Sequence, residues 1–216
     1  MTQNVHYLII GNGRTALHFH HYFSLLGLSF DLWHRRESIE ILQKKLKQCT
    51  HILILISDQA IESFITTHLS PSQVVCIHFS GALSTPLAYS AHPLMSFSKT
   101  LYELSLYSSI PFIIEDHAPP FSELLPGLPN NHGRIPASLK ERYHALCVLS
   151  GNFSCMLWQK LFSSFEEEFH LPASLAHPYL LQQTKNLIEH GEDVIRLTPK
   201  GYALENEVAL RLFSEC

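Results

Sequence analysis

Gly11 and Gly13 fall directly behind a wholly apolar tetrapeptide, Tyr7-Leu8-Ile9-Ile10, and directly ahead of a helical pattern over residues 14–26 that Gly27 closes. A strand apolar on both faces must be covered on both, which is the condition of a strand inside a parallel sheet. The stretch Gly11-Asn12-Gly13-Arg14-Thr15-Ala16 fits G-x-G-x-x-G/A, and its position between strand and helix gives the short pattern its meaning. Gly11 permits the tight turn and Gly13 lets a pyrophosphate approach the backbone. Arg14 and Thr15 open the helix, Ala16 keeps helix and sheet close, and the helix N-terminus offers unpaired N–H groups to phosphates. The other reading is a strand-to-helix turn that needs glycine for architecture alone.

The alternation then repeats. Strands are expected at 29–34, 51–56 and 74–79, helices at 38–48 and from Asp58 to about 67, and further strands near 88–92 and at 111–115. Residues 118–136 carry five prolines, two glycines and Asn130-Asn131, and read as a linker holding one short helix. Beyond it the strand signal disappears. Residues 137–169 read as one long helix unless it breaks near Gly151, and two shorter helices follow at about 179–190 and 199–213. The expected fold class is α/β: a Rossmann-type, doubly wound, mostly parallel sheet over residues 1–133, then a small all-helical domain over 134–216.

The tip of the second strand bears on which dinucleotide is held. An NAD site usually places a carboxylate there to bond the ribose 2′-hydroxyl. Here the segment reads Trp33-His34-Arg35-Arg36, with Asp31 too early in the strand. Two guanidiniums suit a 2′-phosphate, since arginine pairs with phosphate oxygens through two parallel hydrogen bonds. NADP is therefore expected in preference to NAD, against the alternative of a solvated basic loop.

Composition removes other classes. Apolar residues make up 46% of the chain and charged residues 16%, which argues for a packed core and against disorder. A formal charge of −4 gives no electrostatic case for nucleic acid or an anionic membrane. The five cysteines form no CxxC pair and read as reduced thiols. No window reaches the ~18 apolar residues of a membrane span, and no leader pattern opens the chain, so a cytoplasmic protein is expected. His18, His20 and His21 lie on the first helix with no further ligands at metal spacing, so no metal is expected.

Three blocks carry a family resemblance: His78-Phe79-Ser80-Gly81-Ala82-Leu83-Ser84, His92-Pro93-Leu94-Met95-Ser96-Phe97, and Tyr143-His144-Ala145-Leu146 with Gly151-Asn152-Phe153. Together they resemble the Rossmann-like/DUF2520 family over roughly residues 5–200. That family joins a coenzyme-F420/NADP-oxidoreductase-like domain to a helical domain. It is similar in layout to pyrroline-5-carboxylate reductase, ketopantoate reductase and prephenate dehydrogenase. After Leu197-Thr198-Pro199-Lys200-Gly201 the chain soon stops, so its helical domain is expected to be shorter than the family's.

The resemblance implies a nicotinamide at the carboxyl ends of the strands. Ser80 and Gly81 either contact its ribose or simply make a turn. His92, before Pro93, resembles the His-Pro-Met segment of prephenate dehydrogenases. It is either a proton donor with a pKa near the usual ~6.5 or a turn histidine. On one unbroken helix, residues 144, 148, 151 and 155 form a stripe that Asn152 borders. His144 then reads as a proton donor or substrate anchor and Asn152 as an orienting amide, or both serve helix packing. The function expected is NADP-dependent hydride transfer to or from a small carbonyl, imine or alcohol. The alternative is a non-catalytic NADP-binding sensor or scaffold. A homodimer through the helical domain is expected in either case.

Overall fold

A computed structural model describes residues 5–69 and 74–190. The expected helix at 199–213 and the Leu197–Gly201 departure lie outside them. In chain order the elements are β1 (Tyr7–Ile10), α1 (Arg14–Leu25), β2 (Phe30–Trp33), α2 (Ile39–Leu46), β3 (His51–Ile54), α3 (Asp58–His68), β4 (Val75–His78), β5 (Tyr89–Pro93), α4 (Leu104–Ser109), β6 (Phe112–Glu115), α5 (Phe121–Leu124), β7 (His132–Ile135), α6 (Lys140–Val148), α7 (Ser154–Glu167) and α8 (His177–His190). The strands form one seven-stranded sheet in the order β2-β1-β3-β4-β5-β6-β7. All neighbours are parallel except β5 and β6, which run antiparallel with His92 opposite Ile113. This is a Rossmann-like α/β sheet followed by a helical C-terminal region.

Period-two alternation sends successive side chains to opposite faces of the sheet. On one face Tyr7, Ile9, Leu53, Ile77, Ala91, Phe112 and Ile114 pack against Phe19, Tyr22 and Phe23 of α1. On the other, Leu8, Ile10, Ile52 and Ile54 pack with Trp33, Leu42, Ile61 and Ile65. β1 and β3 are buried along their whole length, as their apolar residues require, with His51 at the start of β3 meeting the Glu123 carbonyl at 3.0 Å. His18, on α1, is a core residue: its ring meets the Tyr107 hydroxyl at 2.7 Å and the Ser98 carbonyl at 3.0 Å.

Two expectations are corrected. The segment 118–136 is not a linker with a lone helix, because it ends in β7, which pairs with β6. The sequence His132-Gly133-Arg134-Ile135 shows no apolar signal, since this edge strand is held by polar contacts. Arg134 donates to the carbonyls of Asp116, Ala118 and Pro119 at 2.8–2.9 Å. Asn130 donates to those of Tyr107 and Ile110 and accepts from the Tyr22 hydroxyl. Secondly, the 137–169 helix is interrupted, first by a 3₁₀ turn at Ala137–Leu139 and then by a π turn at Leu149–Phe153, around Gly151. That π turn breaks the α-helical repeat on which the stripe of residues 144, 148, 151 and 155 depended.

The chain divides into two compact units, residues 1–151 and 152–216, whereas the sequence expectation put the division between 133 and 134. α6 goes with the sheet because Lys140 and Tyr143 bond to strand residues. In the second unit the described residues form α7 and α8, joined by a 3₁₀ turn at Ala173–Ala176. Trp158 meets Tyr179 edge-on at 5.6 Å. No described helix is long and apolar enough to cross a membrane.

Candidate functional site

The chain reverses direction across the sheet at β1 and β3: β2 lies to one side of β1, and β3 with all later strands to the other. In open α/β sheets such a switch point leaves a crevice at the carboxyl ends of the strands. A cleft of ≈ 1040 Å³ lies there, bordered by the loops after β1, β2, β3 and β4. Gly11, Asn12, Gly13, Arg14, Thr15, Arg35, Arg36 and Ser80 all line it.

The two glycines do different work. Gly11 has φ +139°, and a Cβ there would fall on the Leu55 carbonyl, so the turn itself requires glycine. Gly13 has ordinary extended geometry and its Cβ would meet nothing within 4 Å. What its missing side chain leaves is open approach to the start of α1. That helix has no side-chain cap and no acidic residue in its first turn. Its first N–H groups and positive dipole end are therefore left for an anion.

Arg35 and Arg36 are exposed on the loop after β2. The carboxylate beside them is occupied internally. Glu37 accepts from the His34 backbone N–H at 3.2 Å and from Lys45 at 3.0 Å, so Lys45 neutralises it. Asp31 of β2 bonds His6, just ahead of β1, at 3.1 Å. Both acids thus have partners within the protein, and Lys45 offsets the charge of Glu37 beside the two arginines. These groups fit a dinucleotide with a phosphorylated ribose.

Ser80 is committed to the protein. Its hydroxyl donates to Asp58 at 2.6 Å and accepts from the backbone N–H of Leu83 at 2.9 Å, stitching the β4 loop to the start of α3. The cap of α3 is Ser57, and Asp58 is its first residue. Gly81 is not among the residues that line the cleft and lies against His144: a Cβ on Gly81 would collide with the imidazole.

His92 and His144 do come together. Their rings lie 5.4 Å apart at 90°, and His92 Nδ1 lies 2.9 Å from the Tyr143 hydroxyl. His144 Nδ1 is buried without a hydrogen-bond partner. Asn152 belongs to the second compact unit, where it is exposed in the π turn. Burial, then the charges of His144 and Lys140, push the His92 pKa down to about 4, outweighing Asp58. The usual histidine value expected from sequence does not hold here.

Beneath these rings lies a polar layer that the sequence reading passed over. Lys140 is buried, with its ammonium on the Leu83 carbonyl, 2.5 Å from Ser90 Oγ and 3.6 Å from Glu115. Burial lowers the Lys140 pKa, and Glu115 opposes that. His78 is fully buried with neither ring nitrogen bonded, and burial followed by the charge of Lys140 drives its pKa down to about 3. A signal was present: Glu115 ends an otherwise apolar strand, and a charged residue so placed needs a buried partner.

No family model matches the chain, and no curated protein matches it. Solved structures do. A protein of Bacteroides fragilis provisionally named an NADP oxidoreductase aligns with a TM-score of 0.71 at 16% identity, over 98% of this chain and 92% of that one. Pyrroline carboxylate reductase of Plasmodium falciparum, solved with NADP bound, gives 0.62 at 12% identity, over 98% and 92%. A reductive aminase of Aspergillus terreus, solved with NADPH and ethyl-5-oxohexanoate, gives 0.62 at 14% identity, over 99% and 88%. At these identities the likeness is one of fold, and this chain is similar to all three in architecture.

Proposed function

We propose that this protein is an NADP-dependent oxidoreductase acting on a small carbonyl, imine or alcohol. The observation that carries the reading is the single cleft joining the open N-terminus of α1 to the Arg35-Arg36 loop. One end suits a pyrophosphate and the other a 2′-phosphate. The cofactor-bound relatives of the same fold support it. When bound, the nicotinamide would supply or take up the hydride. His92, on β5, and His144, on α6, are the groups available to bind the substrate's polar atom and handle its proton. The resemblance to the DUF2520 family belongs to this reading, as do a cytoplasmic location and a homodimer formed through the helical region.

The test is a fluorescence titration with NADPH and NADH. NADPH is expected to bind more tightly, and Arg35→Ala to weaken it about tenfold, or ~1.4 kcal/mol, with little change for NADH. Failure to bind either would remove the cofactor reading. Binding followed by turnover in a carbonyl and imine screen, lost in His144→Ala, identifies an enzyme. Binding with no turnover across the screen would favour an NADP sensor.

A further inference from the structure

α6 lies on the sheet face that carries Ser90 and His92 of β5 and Glu115 of β6. Ser90 and His92 share that face by period-two alternation, and Glu115 joins them because Ala91 and Ile114 are paired on the opposite face. Lys140, the first residue of α6, is tied to Ser90, Glu115 and the Leu83 carbonyl. Tyr143 and His144 follow at i+3 and i+4, the spacing that returns side chains to one side of a helix. The buried lysine therefore anchors the turn from which both His92 neighbours project.

The Tyr143 hydroxyl carries one proton and has two neighbours that can accept it, His92 Nδ1 at 2.9 Å and the Cys147 thiol one turn on. An imidazole nitrogen is a far stronger acceptor than a thiol sulfur. Donation to Nδ1 leaves the single proton of neutral His92 on Nε2. We propose that Tyr143 and Lys140 are positioning residues for His92, the hydroxyl fixing its Nε2–H tautomer and the ammonium seating the helix that delivers it. This rests on the oxidoreductase reading and narrows it. His92 serves as a neutral hydrogen-bond donor that orients and polarises the substrate's oxygen or nitrogen, and the proton that follows hydride is left to His144.

The charges around the ring agree. Lys140 and His144 oppose a second proton on His92, and Asp58 only partly offsets them. His78 and Glu115 lie on the same sheet face, and Tyr143, whose hydroxyl meets the ring, has its own pKa raised by burial and stays protonated. A neutral imidazole is a poor proton donor but a good hydrogen-bond donor.

The experiment is two-bond ¹H–¹⁵N correlation NMR on protein labelled with ¹⁵N-histidine, with the His92 signals assigned by their loss in His92→Gln. The native protein should show a protonated Nε2 and an unprotonated, hydrogen-bonded Nδ1, unchanged from about pH 8 to pH 5. Tyr143→Phe should release the ring into a mixture of tautomers. Lys140→Met should raise its titration midpoint only in part, because burial and His144 remain, and Lys140→Arg should restore the native pattern. If Lys140→Met fails to fold, Tyr143→Phe and Lys140→Arg decide the matter. A proton on Nδ1 in the native protein, a titration midpoint above pH 6, or a Tyr143→Phe spectrum identical to native would overturn the proposal. NADPH added to the same samples reports separately on the cofactor: a locked ring with no NADPH binding would refute the oxidoreductase reading and leave the tautomer assignment standing.

Discussion

At the scale of single residues, the G-x-G pattern separates into one position that the fold requires and one that a ligand would require. Gly11 holds a backbone angle that L side chains rarely adopt and presses on the Leu55 carbonyl. Gly11→Ala should therefore cost about 3 kcal/mol or more in a denaturant melt. Gly13 has no such constraint, and Gly13→Ala should stay within about 1 kcal/mol of native stability. Its added methyl would stand where a pyrophosphate approaches, so NADPH affinity should fall at least about tenfold. Unchanged NADPH affinity in Gly13→Ala would mean that the open approach to α1 is not used. The glycine turn and the two arginines were legible from sequence because each acts through local chain geometry. The tie between Lys140 and Glu115 was not, since nothing in the composition around either residue names the other.

At the scale of elements, the contact between α6 and the face of β4, β5 and β6 is a polar layer inside a sheet whose other strands are covered by apolar side chains. Two histidines in it have depressed pKa values, His78 to about 3 and His92 to about 4. Both are neutral in the folded and unfolded protein above pH 7, so neither affects stability there. Below about 6.5 the unfolded chain takes up protons that the folded chain refuses, and stability falls until the folded pKa is reached. For His92 that loss is on the order of 3 kcal/mol by pH 4. The midpoint of thermal unfolding should therefore drop steeply between pH 6.5 and 4. His78→Met removes two buried nitrogens that have no partner and keeps the volume similar. It should match or exceed native stability at pH 8 and make the acid decline shallower. An acid decline as steep as native would show that the buried His78 is not its source.

At the scale of the molecule, the helical unit leaves large apolar side chains uncovered. Leu181, Leu187 and Ile188 of α8 are 71%, 60% and 80% exposed, and Met156 and Leu157 of α7 are more than half exposed. A second copy of the chain offers the same apolar surface, which suits a two-fold, self-complementary contact. Light scattering at high micromolar concentration should give the mass of a dimer, and Leu181→Glu combined with Ile188→Glu should return a monomer. A monomeric mass for the native chain would end the dimer proposal.

The sequence by itself determined the order of strands and helices through 93, the strand at 111–115 and the seam where a helix N-terminus opens on a crevice, but not the short helix α4 between those last two strands. Those features follow from hydrophobic period and from glycine, which act between near neighbours in the chain. The tertiary structure decided what depends on pairing across distance. β7 exists because β6 offers it hydrogen bonds and Arg134 gathers the preceding carbonyls, not because its residues favour a strand. α6 joins the sheet because a buried ammonium needs Glu115. His92 departs from an ordinary histidine because burial, a second imidazole and a lysine distant in sequence surround it. Burial and charge are properties of neighbours in space, and only the folded chain supplies them.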